Sequence, residues 1–379
     1  MERDHAMRLV RDLLSMMLEK DGSDLFITAG FPPAMKIHGE MTPVSMKELN
    51  AEEAGVIVRS IMNDKQAKEF DSTMECNFAI NPTGIGRFRV NAFIQQGAAG
   101  AVMRTITTEI PDFDDLKLPP VLKGTVMAKN GLILLVGGTG SGKSTTLAAM
   151  TGYRNANSKG HIITIEDPIE YVHPHRGCLV TQREVGVDTE SWHAALKNTL
   201  RQAPDVIQIG EIRDAETMEH AIHFAETGHL VMSTLHANSA NQALDRIINF
   251  FPEERHEQIL QDLSLNIRAI VSQRLVPRVG GGRAAAIEIL LNSPLISGMI
   301  FKGETGEIKE VMKKSREQGM QTFDQCLYEQ FEAGIISYED ALRFADSKNE
   351  VRLRIKLEGK RAGGIGEDAT LSIMPNEDD

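Results

Sequence analysis

At 379 residues, 41% hydrophobic and 25% charged, the chain is too long for one small core and has an ordinary globular composition, which predicts two domains and an extra helical piece. A net charge of −12, from 41 basic against 53 acidic residues, argues against nucleic acid as a partner. The opening MERDHAMRLVRDLL lacks a signal-peptide core, and no apolar run approaches the roughly 18 residues of a membrane span, so a cytoplasmic protein without a transmembrane segment is expected. Cys76, Cys178 and Cys326 lie far apart with no CxxC spacing, the pattern of reduced, buried thiols.

Along the chain, apolar positions Met7, Val10, Leu14 and Met17 predict an amphipathic first helix. DGSDLFITAGFPPAMKIHGEMTPV reads as strand, Gly/Pro turn, strand, and AEEAGVIVRSIMNDKQAKEF has a helical period. CNFAI, GRFRVNAFIQQ and GAVMRTI read as further strands. Alternation over Arg87-Phe88-Arg89-Val90 puts the two arginines on one face and the two apolar residues on the other. Residues 1–108 are therefore expected to form an α+β domain with a largely antiparallel sheet. TTEIPDFDDLKLPPVLKG, with three prolines and four acids, marks a linker at 109–124.

The grammar then changes to strands alternating with helices, expected to span 125–292. LILLV (132–136), IITI (162–165), VIQI (206–209) and LVMST (230–234) are mostly uninterrupted apolar runs, as in a parallel sheet covered on both faces. RLVPRVGGGRAAAIEILL reads as a hairpin about Gly280-Gly281-Gly282, and residues 293–357 read as helices. The remainder, 358–379, ends in EDATLSIMPNEDD, five acids without a base, and is expected to be a disordered acidic tail.

Residues Gly137-Gly138-Thr139-Gly140-Ser141-Gly142-Lys143-Ser144 match G-x-x-x-x-G-K-[ST], with LILLV before them and a helix beginning at Ser144-Thr145 after them. Such a loop turns backbone N–H groups toward a phosphate beside a helix N-terminus. Lys143 should reach the β- and γ-phosphates and the Ser144 hydroxyl should ligate Mg²⁺, which makes this a nucleoside triphosphate site.

Three polar clusters follow strand ends, where ligands of parallel α/β sheets bind: Glu166-Asp167-Pro168, Gly210-Glu211 and Leu235-His236. Singly, an acid after a strand is most often a helix cap or solvated turn; three beside a P-loop point to a site. Asp205 lies six residues before Glu211, roughly 20 Å along an extended strand, at the wrong sheet edge to hold the metal. Glu211 is then the acid facing Mg²⁺. A carboxylate holding a cation is a poor base, so Glu166 is the better general base for water. His229 and His236 bracket one strand and cannot both chelate a metal; sensing the γ-phosphate suits one or the other.

Four ordered motifs, GGTGSGKS, TIEDPIEYVH, DVIQIGEIRD and TGHLVMSTLHAN, resemble those of the secretion-type ATPases of type IV pili and type II secretion, over residues 5 to 355. The short N-terminal domain opening SDLFITAGFPP, and the lack of a tetracysteine module, resemble the retraction branch, the PilT/PilU family. The resemblance implies an α/β fold: a RecA-like P-loop ATPase domain, a smaller α+β PAS-like N-terminal domain and a C-terminal helical segment. It implies a homo-hexamer using ATP and Mg²⁺ at the cytoplasmic face of the inner membrane, against a pilus platform protein. Glu166 becomes the catalytic glutamate, Glu211 the Mg²⁺-associated acid, and His229 and His236 the His box. Arg89 and Arg104 match arginines that reach a nucleotide across a domain or subunit boundary; read from the residues alone, Arg104 is equally a surface charge. The family's AIRNLI-like retraction motif is replaced by SPLISGMIFKGE, where Leu295, Ile296, Ser297 and Gly298 stand and the arginine is gone. That favours an accessory, PilU-like member working with a PilT-like paralogue. The expected function is an ATP-driven motor for pilus retraction and twitching motility. The alternatives are an ATP-binding regulatory subunit with little hydrolysis, or an assembly or type II secretion ATPase.

Overall fold

The computed structural model of the chain describes residues 2–106 and 109–361. The strands are β1 Gly22–Ile27, β2 Ala34–Ile37, β3 Glu40–Pro43, β4 Glu75–Ile80, β5 Arg87–Gln95, β6 Ala98–Ile106, β7 Gly131–Val136, β8 Gly160–Glu166, β9 Cys178–Glu184, β10 Val206–Ile209, β11 Leu230–Leu235, β12 Ile267–Pro277 and β13 Arg283–Leu291. Two compact units divide them: residues up to Pro111 with Asn155–Pro204, and Asp112–Arg154 with Asp205 onward.

In the first unit six strands run in the order β3-β2-β1-β6-β5-β4, antiparallel at each pairing, as expected. The β5–β6 turn falls on Gln96-Gly97, both at positive φ (49° and 78°), the twist a two-residue hairpin requires. Phe88 and Val90 point inward and are fully buried against the helices Arg3–Glu19 and Ala51–Ser60, each such side chain contributing roughly 1.5–3 kcal/mol of burial. The first helix buries Ala6, Val10, Leu13, Leu14 and Met17 but exposes Met7. The inward row is an i, i+4, i+3 stripe starting at Ala6, and Met7 sits about 100° off it.

The first unit also holds β8 and β9, paired in parallel with Thr164 opposite Gln182 and Glu166 opposite Glu184. The apolar IITI predicts β8, whereas β9 goes unpredicted because CLVTQRE is too polar to read as a core strand.

In the second unit the order is β13-β12-β7-β11-β10, parallel from β12 to β10, with β13 antiparallel through the glycine hairpin. Gly280, Gly281 and Gly282 all have positive φ (86°, 103°, 77°). Register decides what shares an edge. Leu235 pairs with Val136, Ile209 with Ser233 and Ser272 with Val136, so the residues following β7, β10 and β11 emerge at one end of the sheet, level with Gln273. The helices Pro294–Phe301, Ile308–Lys314, Phe323–Glu332, Tyr338–Phe344 and Lys348–Glu358 follow. Part of this segment packs Phe323, Leu327, Phe331 and Ile336 against Val276 and Ala286. The expected acidic tail lies, from residue 362, outside the described residues; Glu358 closes the last helix. The three cysteines are buried and none forms a disulfide. No described helix is long and apolar enough to cross a membrane.

Candidate active site

The loop after β7 is shaped by glycine where no other residue fits. Gly137 and Gly142 have φ of 157° and 87°; a Cβ on the first would sit 2.4 Å from Ser141 Oγ, and on the second 2.7 Å from Gln273 Nε2. Lys143 opens the helix Lys143–Asn157 and folds back, its ammonium donating to the carbonyls of Gly137 (2.8 Å) and Gly138 (2.9 Å). Gln273, on β12, clamps the loop's far end: its amide donates to Ser141 O (2.9 Å) and its carbonyl accepts from Thr146 Oγ1 (2.7 Å). The helix is fixed to β10 by Thr151 Oγ1, which donates to Gln208 Oε1 at 2.6 Å. Neither Gln273 nor Gln208 stands out as a site residue in the sequence: Gln208 is a lone amide within the apolar VIQI, a signal that marks it, whereas Gln273 lies in the polar run Ser272-Gln273-Arg274 and carries none.

At the same sheet edge, Glu211 follows β10 and His236 follows β11. His236 Nε2 lies 3.0 Å from Glu211 Oε1, and Arg213 donates to Glu211 Oε2 at 2.9 Å. Thr234 Oγ1 bonds Gly210 O (2.8 Å) and Ile212 N bonds Thr234 O (2.9 Å), fixing where Glu211 leaves the strand. The edge thus gathers Gly137–Ser144, Glu211 and His236. It does not gather His229. That residue precedes β11, its carbonyl accepting from Gly131 N (3.0 Å) and its Nδ1 lying 3.1 Å from Phe224 O, roughly 20 Å from His236 along the strand. Asp205 likewise sits before β10, where its carbonyl accepts from Leu230 N.

A cavity of about 520 Å³ opens beside Gly142, Thr145 and Thr146, walled by Leu116, Leu275, Arg278 and Arg283. Its volume suits a small ligand and its arginines suit an anionic one.

In the first unit, Glu166 ends β8 just before the cis Asp167-Pro168 bond. It is buried, and its Oε1 accepts from Thr164 Oγ1 (2.6 Å) and Gln182 Nε2 (3.1 Å). Gln182 is itself aimed by Tyr171 O (2.9 Å) and His173 N (2.6 Å). Burial raises the Glu166 pKa above the usual carboxylate value while these hydrogen bonds oppose the rise, the setting of a carboxylate tuned toward proton acceptance.

The arginines stand on the same unit's antiparallel sheet. Arg89 and Arg104 are direct cross-strand neighbours, and Arg104 in turn faces Asp24 on β1, with Nε bonded to Asp24 Oδ1 at 2.7 Å. Like charges placed opposite each other are destabilising unless an anion meets them. Asp24 meets Arg104; among the described residues no hydrogen bond or ion pair within 4 Å engages the Arg89 guanidinium. Arg87 approaches Glu184 (3.7 Å) and Asp188 (3.8 Å). Glu184 is buried, and burial raises its pKa.

A parallel sheet whose one edge carries a P-loop, an acid and a histidine defines a P-loop ATPase. The family described as Type II/IV secretion system protein matches residues 2–343, and the chain belongs to that family. It is 61% identical over 346 residues to the Type IV pilus ATPase PilU of Pseudomonas aeruginosa, covering 91% of each chain. It is 41% identical over 332 residues to the PilT of the same organism, described as a type IV pilus retractation ATPase, covering 88% of this chain and 96% of that one. A crystal structure of the pilus retraction motor PilT with bound ADP superposes with a TM-score of 0.84 at 40% identity, covering 90% of this chain and 98% of the other. The fold is accordingly α/β, a RecA-like ATPase domain with a smaller α+β, PAS-like N-terminal domain and a helical C-terminal segment.

Proposed function

We propose that this chain is a hexameric ATP-hydrolysing motor of the type IV pilus machinery that powers or assists pilus retraction and twitching motility. The observation that carries the reading is the gathering of Gly137–Ser144, Glu211 and His236 at one sheet edge, in a chain related over nine-tenths of its length to pilus ATPases. Domain limits of 1–108, 109–124, 125–292 and 293–357 belong to this reading.

The loop amides and Lys143 bind the phosphates, with Lys143 exchanging the carbonyls of Gly137 and Gly138 for phosphate oxygens. The cavity beside Thr145 takes the nucleoside. Ser144 and Glu211 offer the hard oxygen donors that Mg²⁺ requires, and the ion, when bound, neutralises charge on the phosphates. Arg213 and His236 already engage both Glu211 oxygens, which suits contact with the ion through water. Glu166, buried and raised in pKa, takes the proton from the attacking water. Arg104, with Arg89 beside it, stabilises transferred charge from a neighbouring subunit. His236 senses the γ-phosphate through Glu211; His229, at the other end of the strand, acts only if a neighbouring subunit meets that edge. The motor works at the cytoplasmic face of the inner membrane on a pilus platform protein.

A second reading, an accessory subunit acting with a PilT-like paralogue, is favoured by the helix Pro294–Phe301, which carries no arginine and exposes Leu295 and Phe301. Phosphate release by the purified chain, with and without a PilT-like partner, tests both. Turnover alone supports an autonomous motor, and turnover only with the partner supports the accessory one. Turnover under neither condition sinks the hydrolytic reading.

A further inference from the structure

The loop His236–Ser239 is held at two points, and both anchors belong to one chain of charges. Where the helix Ala240–Ile248 begins, Ala240 N donates to Glu288 Oε1 at 2.9 Å, and Ser272 Oγ donates to the same oxygen at 3.0 Å. Two residues earlier, the Asn238 carbonyl accepts from Arg274 Nη2 at 3.2 Å. Glu288 Oε2 lies 3.9 Å from Lys309 Nζ; Lys309 is ion-paired to Asp346, and Asp346 Oδ1 to Arg274 Nη2 at 2.7 Å. The chain of contacts therefore closes into a ring from the loop, through Glu288, Lys309, Asp346 and Arg274, back to the loop.

Two of its four members come from the C-terminal helical segment. Lys309 lies on the helix Ile308–Lys314, and Asp346 lies between the helices Tyr338–Phe344 and Lys348–Glu358. The latter junction is pinned: Asp346 N and Ser347 N both donate to the Asp324 carboxylate, at 2.8 and 3.0 Å. The Arg274 guanidinium stacks 3.9 Å from the Phe323 ring centre and donates to Phe344 O at 2.8 Å, so it too is indexed to those helices. Glu288 is buried almost completely, whereas the Lys309 and Asp346 side chains keep 27% and 22% of their surface exposed. An ion-pair chain that ends on a buried carboxylate is a poor source of net stability, because desolvation offsets the attraction; its better-attested use is to select one geometry.

We propose that Glu288, Lys309, Asp346 and Arg274 form a positioning relay, through which the placement of the C-terminal helices sets the His236 loop and, by it, the His236–Glu211 contact. These are positioning residues, since none touches the P-loop. The inference rests on the assignment of His236 and Glu211 to the nucleotide site. A protein docking on the C-terminal helices would then tune ATP turnover without approaching the nucleotide.

The test is a double-substitution cycle on the full-length chain, under the condition in which the wild type turns over, using Lys309→Met, Lys309→Arg, His236→Ala and Lys309→Met with His236→Ala. Lys309→Met is expected to lower kcat about tenfold with KM for ATP held within about twofold, as misplacement of a reacting group does, and Lys309→Arg to retain most activity. In the His236→Ala background Lys309→Met should change kcat by less than about twofold, because the relay's target is already gone. An equal loss in both backgrounds overturns the relay and leaves the site assignment standing. Wild-type turnover by His236→Ala removes that assignment, and the relay with it. Amide exchange gives a readout independent of turnover: Lys309→Met should speed exchange at Ala240 about tenfold while the loop 137–142 stays protected. Unchanged exchange at Ala240 overturns the proposal. If Lys309→Met melts early, Glu288→Gln, which keeps the acceptor for Ala240 N and removes the charge, enters the same cycle with the same expected outcomes.

Discussion

Thr164→Val probes the base while leaving the site's shape almost intact. Thr164 is fully buried on β8, and its hydroxyl donates to Glu166 Oε1 at 2.6 Å; valine keeps the branched shape and removes the donor. Burial already raises the Glu166 pKa, and the Thr164 hydroxyl is the largest of the influences that oppose that rise by favouring the charged form. A hydrogen bond to an ionised group is worth roughly 1.5–3 kcal/mol, and Gln182 remains as the second donor. Losing it shifts the ratio of ionised to neutral Glu166 by roughly tenfold to hundredfold toward the neutral acid. Only the carboxylate can accept a proton from water. The acidic limb of the single-turnover rate against pH should therefore move to higher pH, with the rate recovering as pH rises and ATP affinity unchanged. An acidic limb that stays in place, at wild-type ATP affinity, would refute Glu166 as the titrating base.

Gly142→Ala forces a side chain into positive φ and toward the Gln273 amide 2.7 Å away, so it should cost roughly 1–3 kcal/mol in a melt and weaken ATP-analogue binding. A wild-type melt and affinity would mean that the loop relaxes freely. Lys143→Ala should abolish turnover, because loop amides alone do not replace the ammonium on the phosphates; phosphate release from purified protein checks it. Arg104→Ala should be inactive as a uniform ring, and mixing it with Glu166→Gln subunits should recover some phosphate release, since each supplies what its neighbour lacks. No recovery in mixed rings counts against action across subunits.

The parts of this protein that were legible in its sequence are those whose determinants lie close together along the chain. The P-loop needs only a strand, its glycines and a helix within the one continuous stretch Gly131–Asn157, and it stands where the pattern put it. The inward face of β5 follows from simple alternation of Phe88 and Val90 with arginine. The residues that orient the site were hidden by sequence distance. Gln273 reaches Ser141 across 132 positions, Glu288 reaches Ala240 across 48, and Asp24 reaches Arg104 across 80. Gln182 escaped notice because its strand, β9, mixes polar and apolar residues on both faces and resembles a loop. For the histidines, residue spacing left either one open; the β7–β11 register separates them, putting His236 at the P-loop edge and His229 at the other.

If this chain hydrolyses ATP with Glu166 as the base, Glu166→Gln must abolish the chemistry and spare the binding. Gln keeps the side chain's size and its ability to accept from Thr164, and it cannot take a proton from water. Wild-type binding of an ATP analogue is expected, with phosphate release reduced at least about a hundredfold. Near-wild-type phosphate release by Glu166→Gln would contradict it.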